Sequence, residues 1–163
     1  MLERTVAELR GEDVADEASV SLNLGVDVSI PEDYIADMGQ RLRVYKRISS
    51  ARDEETMAAV RAETEDRFGR PPESVERLFA YARLRRTAED LGVISIDRTP
   101  SGIAIKLSEK ARVSPESLLG LVKDRQGATF TPNGVLKLPL TEQETEDILG
   151  AAHEMLLGIT RAE

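Results

Sequence analysis

Val93-Ile94-Ser95-Ile96-Asp97-Arg98-Thr99-Pro100-Ser101-Gly102-Ile103-Ala104-Ile105-Lys106-Leu107 is the stretch on which the fold class turns. Val93–Ile96 and Ile103–Leu107 have the period of two and the β-branched content of strands, and Pro100-Ser101-Gly102 between them is turn chemistry. The stretch predicts a β-hairpin. It begins just past Gly92, where a helical period ends.

Upstream, the helix opened by Pro71-Pro72-Glu73 carries two apolar sets: Val75, Leu78, Phe79 and Ala82, then Tyr81, Leu84, Ala88 and Leu91. Two faces predict a helix contacted from two sides. Before it, Asp53–Phe68 places Met57, Val60, Thr64 and Phe68 within a narrow arc of the helical wheel, and Gly69 with Pro71 stops it. Further back, Val20, Leu22, Leu24, Val26, Val28 and Ile30 alternate with Ser21, Asn23, Gly25, Asp27 and Ser29, which reads as one long strand. Pro31, followed by Glu32 and Asp33, suits the first turn of a helix, expected to carry Ile35, Met38, Leu42 and Tyr45 on one stripe.

Downstream, Ser114 and Pro115 read as N-cap and first residue of a helix bearing Leu118, Leu119 and Val122. A second hairpin joins Ala128-Thr129-Phe130 to Val135-Leu136-Lys137-Leu138 through Pro132-Asn133-Gly134. Thr141-Glu142-Gln143-Glu144 is a capping box, with Leu140 placed as a staple, opening a last helix with Ile148, Leu149, Ala152, Met155, Leu156 and Ile159 as its stripe. Three central helices and two later hairpins predict an α+β fold, with helices packed on one face of a mostly antiparallel sheet in a single compact domain. At the other end, Leu2, Val6 and Leu9 share a helical face in a segment shorter than the roughly 12 residues an isolated helix needs, and an acidic stretch, Glu12–Ala18, follows. Residues 1–18 therefore read as the end of a longer helix plus a linker, and 19–163 as the domain.

Composition narrows the function classes. With 40% hydrophobic residues in 163, the chain can bury a real core. Its net charge of -8 repels phosphate backbones, so direct nucleic-acid binding is not expected, and a basic protein partner suits it better. The absence of cysteine removes disulfides and thiolate chemistry, in keeping with a cytoplasmic setting. No apolar run approaches the roughly 18 residues of a membrane span, and the N-terminus has no export signal.

Catalytic signatures are missing too. There is no Gly-x-x-x-x-Gly-Lys-Ser/Thr run and no Gly-x-Gly-x-x-Gly. Asp53-Glu54-Glu55-Thr56 reads as helix N-terminal acids, and His153, the only histidine, as a helix-flank residue. No catalytic residue, cofactor or metal is assigned. Two clusters remain. Arg83, Arg85 and Arg86, with Arg41, Arg43, Lys46 and Arg47 on another helix, could form a basic patch for phosphates or an acidic partner, or solvated helix faces. Glu63, Asp66 and Arg67 lie at i, i+3 and i+4 on one side of the helix, away from the Met57 stripe, where an intrahelical Glu63–Arg67 pair needs no partner.

Three segments together carry a resemblance: Ile30-Pro31-Glu32-Asp33-Tyr34-Ile35-Ala36-Asp37, Arg41-Leu42-Arg43-Val44-Tyr45-Lys46-Arg47-Ile48, and Glu63-Thr64-Glu65-Asp66-Arg67-Phe68-Gly69-Arg70-Pro71-Pro72. In order and spacing the chain resembles the C-terminal domain of the bacterial transcription-repair coupling factors, and its first nine residues resemble the tail of the segment joining that domain to the family's motor. The family is a multidomain ATP-driven DNA translocase that displaces stalled RNA polymerase and recruits the damage-recognition ATPase of nucleotide excision repair. The resemblance implies a non-catalytic regulatory domain that docks on the N-terminal module recruiting that ATPase and masks it. The residues matching that contact are Glu63, Asp66 and Arg67. The alternative is a nucleic-acid- or polymerase-contacting domain using the Arg83-Arg85-Arg86 region.

Overall fold

Eleven elements follow one another in residues 20–160, which the computed structural model describes: β1 (Ser21–Asn23), α1 (Met38–Ser50), α2 (Glu54–Phe68), α3 (Glu73–Leu91), β2 (Val93–Arg98), β3 (Gly102–Leu107), α4 (Pro115–Asp124), β4 (Thr129–Phe130), β5 (Val135–Pro139), α5 (Glu142–Glu146) and α6 (Ile148–Ile159). The α+β expectation holds. Residues 1–18, expected to be a helix end and linker, lie outside the described residues. The chain clusters into two compact units. One comprises Ala88–Pro139 with the described residues up to Asn23 and from Ile159; the other comprises Leu24–Thr87 and Leu140–Gly158.

The first unit is built on the sheet. The 93–107 hairpin forms as predicted, with Ile96 opposite Ile105 and Asp97 opposite Ala104. β5 adds antiparallel to β3, placing Leu136 opposite Ile105, and β4 adds to β5. β1 pairs parallel to β2, so the order is β1-β2-β3-β5-β4 with only that one parallel pairing among the described strands. Ile96, Ile103, Ile105 and Leu136 are wholly buried. At the 132–134 turn Gly134 has φ 86°, and a Cβ there would lie 2.9 Å from the Leu107 carbonyl oxygen, so only glycine fits without strain. Ser114 caps α4, its side chain accepting from the Ser117 N–H as the sequence predicts. Leu118 is buried there, but Leu119, expected beside it, is 67% exposed.

The long strand expected from Val20 to Ile30 is corrected: only Ser21–Asn23 joins the ladder. The alternation is nevertheless real as burial, with Leu24 and Ile30 buried and Gly25, Asp27 and Ser29 exposed. Side chains, not a neighbouring strand, satisfy this backbone. Ile30 N–H donates to the Tyr45 hydroxyl at 2.7 Å, Arg77 donates to the Asp27 carbonyl at 3.1 Å, and the Asp27 carboxylate accepts from Ser29.

The second unit has its own core, in which Ile30, Ile35, Val44, Ile48, Met57, Val60, Val75 and Phe79 pack together. α2 is as predicted: Asp53 caps it by accepting from Thr56 N–H, its apolar stripe points inward, and Gly69 at φ 90° ends it. The Thr64 hydroxyl, buried in that stripe, donates to the Val60 carbonyl at 2.7 Å, so its burial leaves nothing unpaired. Along α3 the residues from Glu76 to Ala88 are all buried or half-buried, consistent with a helix contacted from two sides.

Two helices differ from expectation. Pro31 opens only a turn, whose carbonyl accepts from Tyr34 and Ile35 N–H, and α1 starts afresh at Met38 behind Asp37, whose side chain accepts from Gln40 N–H. The restart changes the helical phase, so Val44 and Ile48 face the core while Met38 and Leu42 are 65% and 60% exposed. The last helix is broken at Asp147 into α5 and α6. Its capping box at Thr141 and Glu144 is present, and its apolar stripe is buried as predicted.

Candidate interaction site

Glu63, Asp66 and Arg67 project from the flank of α2, exposed, while Met57, Val60 and Thr64 of the same helix are buried. α1 packs alongside and brings Arg47 to this flank. The Arg47 guanidinium donates to the Glu63 carboxylate, an inter-helix ion pair in place of the expected Glu63–Arg67 pair. That hydrogen bond holds the Glu63 carboxyl below the usual carboxylate range, with the charges of Arg47 and Arg67 acting the same way. Arg67 lies with its guanidinium 5.1 Å from the centre of the Phe68 ring, a cation–π contact that orients it.

Around this flank the α2 surface is stapled to its neighbours. Arg61 donates to Glu65 at 3.0 Å and, across to α3, to Glu76 at 3.1 Å. The Tyr34 hydroxyl donates to the Gly69 carbonyl at 2.7 Å, and its ring packs at 6.1 Å from Phe68. Gln40, Arg43, Val44 and Arg47 of α1 face Glu63, Thr64 and Arg67 of α2 across a small cleft.

The second cluster is distributed differently. Arg83 and Arg86 of α3 both donate to Glu54 at the start of α2, each at 3.1 Å. Arg85 is half-buried and has an interaction of its own. Arg41 donates to the Ile35 and Ala36 carbonyls, closing the turn before α1. The structure thus draws Arg47 into the Glu63 site and engages Arg83, Arg86 and Arg41 internally. Asp53 and Glu54 do what helix N-terminal acids do: the Asp53 carboxyl is held low by the Thr56 N–H it accepts. His153 is half-buried on α6, its Nε2 3.0 Å from the Thr87 hydroxyl. Among the described residues no group of three or more His, Asp or Glu side chains could hold a metal ion, and no helix is long and apolar enough to cross a membrane.

The sequence reading missed the Arg47–Glu63 pairing because the two residues sit 16 apart on different helices, and only the packing of α1 on α2 joins them. It also missed the outward turn of Met38 and Leu42.

These features define a small α+β domain whose charged helix faces are tied together by ion pairs. The chain belongs to the TRCF domain family, whose family model matches residues 24–118, more than half of its length. Among similar proteins, the transcription-repair-coupling factor of Escherichia coli (strain K12) is 34% identical over 117 residues, 72% of this chain and 10% of that protein. That of Myxococcus xanthus is 30% identical over 134 residues, 82% of this chain and 11% of that protein. The chain spans about a tenth of the length of these curated relatives. A crystal structure of the C-terminal domain of transcription-repair coupling factor superposes with a TM-score of 0.75 at 20% identity, covering 87% of this chain and 94% of that one. At that identity the likeness speaks for the fold.

Proposed function

We propose that the domain is a non-catalytic, autoinhibitory clamp within a longer, ATP-driven DNA translocase of transcription-coupled repair, working in the cytoplasm beside RNA polymerase. In this reading residues 1–18 end the connection from the motor and residues 19–163 form the regulatory domain. Its α2 flank docks on the N-terminal module of the same protein and hides the surface that recruits the damage-recognition ATPase until the motor engages polymerase. The observation that carries this is the exposure of Glu63, Asp66 and Arg67 on one flank of α2, inside the stretch matched to the TRCF domain.

Physical chemistry supports the role. Glu63 is already immobilised by Arg47 and Arg67 is set against Phe68, so less side-chain entropy remains to be lost on docking. Exposed charge-assisted contacts of this kind are individually weak, which suits a reversible mask, and tethering within one chain raises them to an effective concentration of millimolar order. The alternative role for Arg83 and Arg86 finds less support, since the side chains of both are less than a third exposed.

The test compares the intact translocase with its Glu63→Ala, Asp66→Ala, Arg67→Ala variant for affinity toward the damage-recognition ATPase, without DNA or polymerase. Markedly tighter binding by the variant is expected. Unchanged affinity, in a variant whose domain folds normally, returns the three residues to an ordinary solvated helix flank.

A further inference from the structure

The outer face of α1 has no role in the reading above. Over Met38–Ser50 the helix carries Arg41, Arg43, Lys46 and Arg47 and no acidic residue, in a chain whose net charge is -8. Two of the four cations are used inside the fold, Arg41 on backbone carbonyls and Arg47 on Glu63. Arg43 and Lys46 are exposed, and neither side chain meets a carboxylate among the described residues. Beside them stand Met38 and Leu42, one helical turn apart and more than half exposed. At about 100° per residue, Met38, Leu42, Lys46 and Arg43 follow one another around roughly 140° of the helix surface, opposite Val44 and Ile48. α1 is therefore amphipathic twice over: one apolar face in the core, and a second apolar edge outside it flanked by exposed cations.

We propose that this outer face is a docking surface for an acidic amphipathic helix of a partner protein or domain, with apolar side chains against Met38 and Leu42 and carboxylates against Arg43 and Lys46. Charge complementarity selects the partner. Local positive charge on an acidic chain attracts a short segment bearing two or three carboxylates, while the chain as a whole repels a polyanion. Nucleic acid would need more cations and stacking aromatics, and the described α1 face offers no exposed aromatic ring. An anionic membrane surface calls for clusters of about four to eight basic residues, more than two. Packing of one helix on another, in contrast, needs only an apolar pair one turn apart with complementary charges at its rim, which α1 presents, and Arg43 also lines the cleft between α1 and α2. The proposal does not rest on the docking role of Glu63, Asp66 and Arg67, whose expected partner is basic.

The test is a two-dimensional NMR titration of the full chain with three probes: a synthetic amphipathic helix carrying Leu and Glu, the same peptide with Lys for Glu, and a short DNA duplex. Saturable shifts confined to the amides of Gly39, Leu42, Arg43 and Lys46 are expected with the Glu peptide, at a Kd below about 1 mM. Binding should weaken about tenfold in an Arg43→Glu, Lys46→Glu variant and in Leu42→Ser, and stay unchanged in Glu109→Ala, an exposed site just after β3. Unchanged melting midpoints confirm that these exposed substitutions leave the fold intact. Failure of the Glu peptide to saturate, equal binding of the Lys peptide, or preferential binding of the duplex at the same amides overturns the proposal.

Discussion

His153 on α6 and Thr87 on α3 are joined side chain to side chain, the imidazole Nε2 lying 3.0 Å from the hydroxyl oxygen. Burial pushes the His153 pKa down from its usual 6.5, Arg83 and Arg86 add to that, and Glu54 and Glu154 oppose it. The folded chain therefore binds this proton less readily than the unfolded one. The stabilisation from a neutral His153 is present in full above about pH 6.5 and is lost as pH falls below it toward the lower folded value. Urea midpoints measured between about pH 7.5 and 5.5 should decline, and a His153→Gln variant should flatten that decline. An equal slope in wild type and variant would assign the dependence to other groups.

Gly69 and Gly134 share a positive φ, 90° and 86°, but not their surroundings. A Cβ at Gly69 meets nothing within 4 Å, whereas at Gly134 it would stand 2.9 Å from the Leu107 carbonyl oxygen, whose strand backbone is held in the β3–β5 ladder. Gly69→Ala, at φ 90° and ψ -175°, a combination essentially confined to glycine, should cost about 1–3 kcal/mol from backbone conformation alone. Gly134→Ala should cost about 2–4 kcal/mol, since the hairpin must also shift. Chemical denaturation of the two variants separates conformational strain from steric conflict, and equal costs would show that the turn gives way freely.

What was legible in the sequence was what local chemistry determines. The Ser114 and Thr141 caps, the Gly69 stop and both hairpin turns need only neighbours within four residues, and all are present. The phase of α1 was not legible by carrying the period forward from Ile35, because the turn at Pro31 ends and Asp37 caps a new helix. At Asp147 a second interruption divides a continuous apolar stripe that periodicity alone joins. For the candidate site, the exposed flank of α2 could be read from spacing, but its electrostatics could not. Arg47 and Arg83 reach Glu63 and Glu54 across 16 and 29 residues, distances that only tertiary packing closes.

The reassigned face of α1 makes a direct prediction. Ile48 is 1% exposed, so Ile48→Ala should cost about 2–5 kcal/mol, while Leu42→Ala, at a site 60% exposed, should stay within about 0.5 kcal/mol. A phase running from Ile35 through Met38 and Leu42 would reverse the order. Thermal midpoints suffice, because each kcal/mol moves a domain of this size by about 2–4 °C.

Glu54 sets the final expectation. Its two carboxylate oxygens accept from Arg83 and Arg86, and the Arg86 side chain is only 20% exposed, with its Nη1 buried and without a hydrogen-bond partner among the described residues. Glu54→Ala leaves Arg86 largely buried beside Arg83 with its counter-charge gone, so it should destabilise by about 1–3 kcal/mol although Glu54 itself is more than half exposed. Arg86→Met removes the same ion pair together with the orphaned nitrogen and fills the space with a flexible apolar chain, so it should be neutral or stabilising. In the double variant the Glu54→Ala cost should shrink, since Arg86 no longer needs its carboxylate. A loss in Arg86→Met as large as in Glu54→Ala would mean that the pair contributes net stability, beyond compensating its own desolvation.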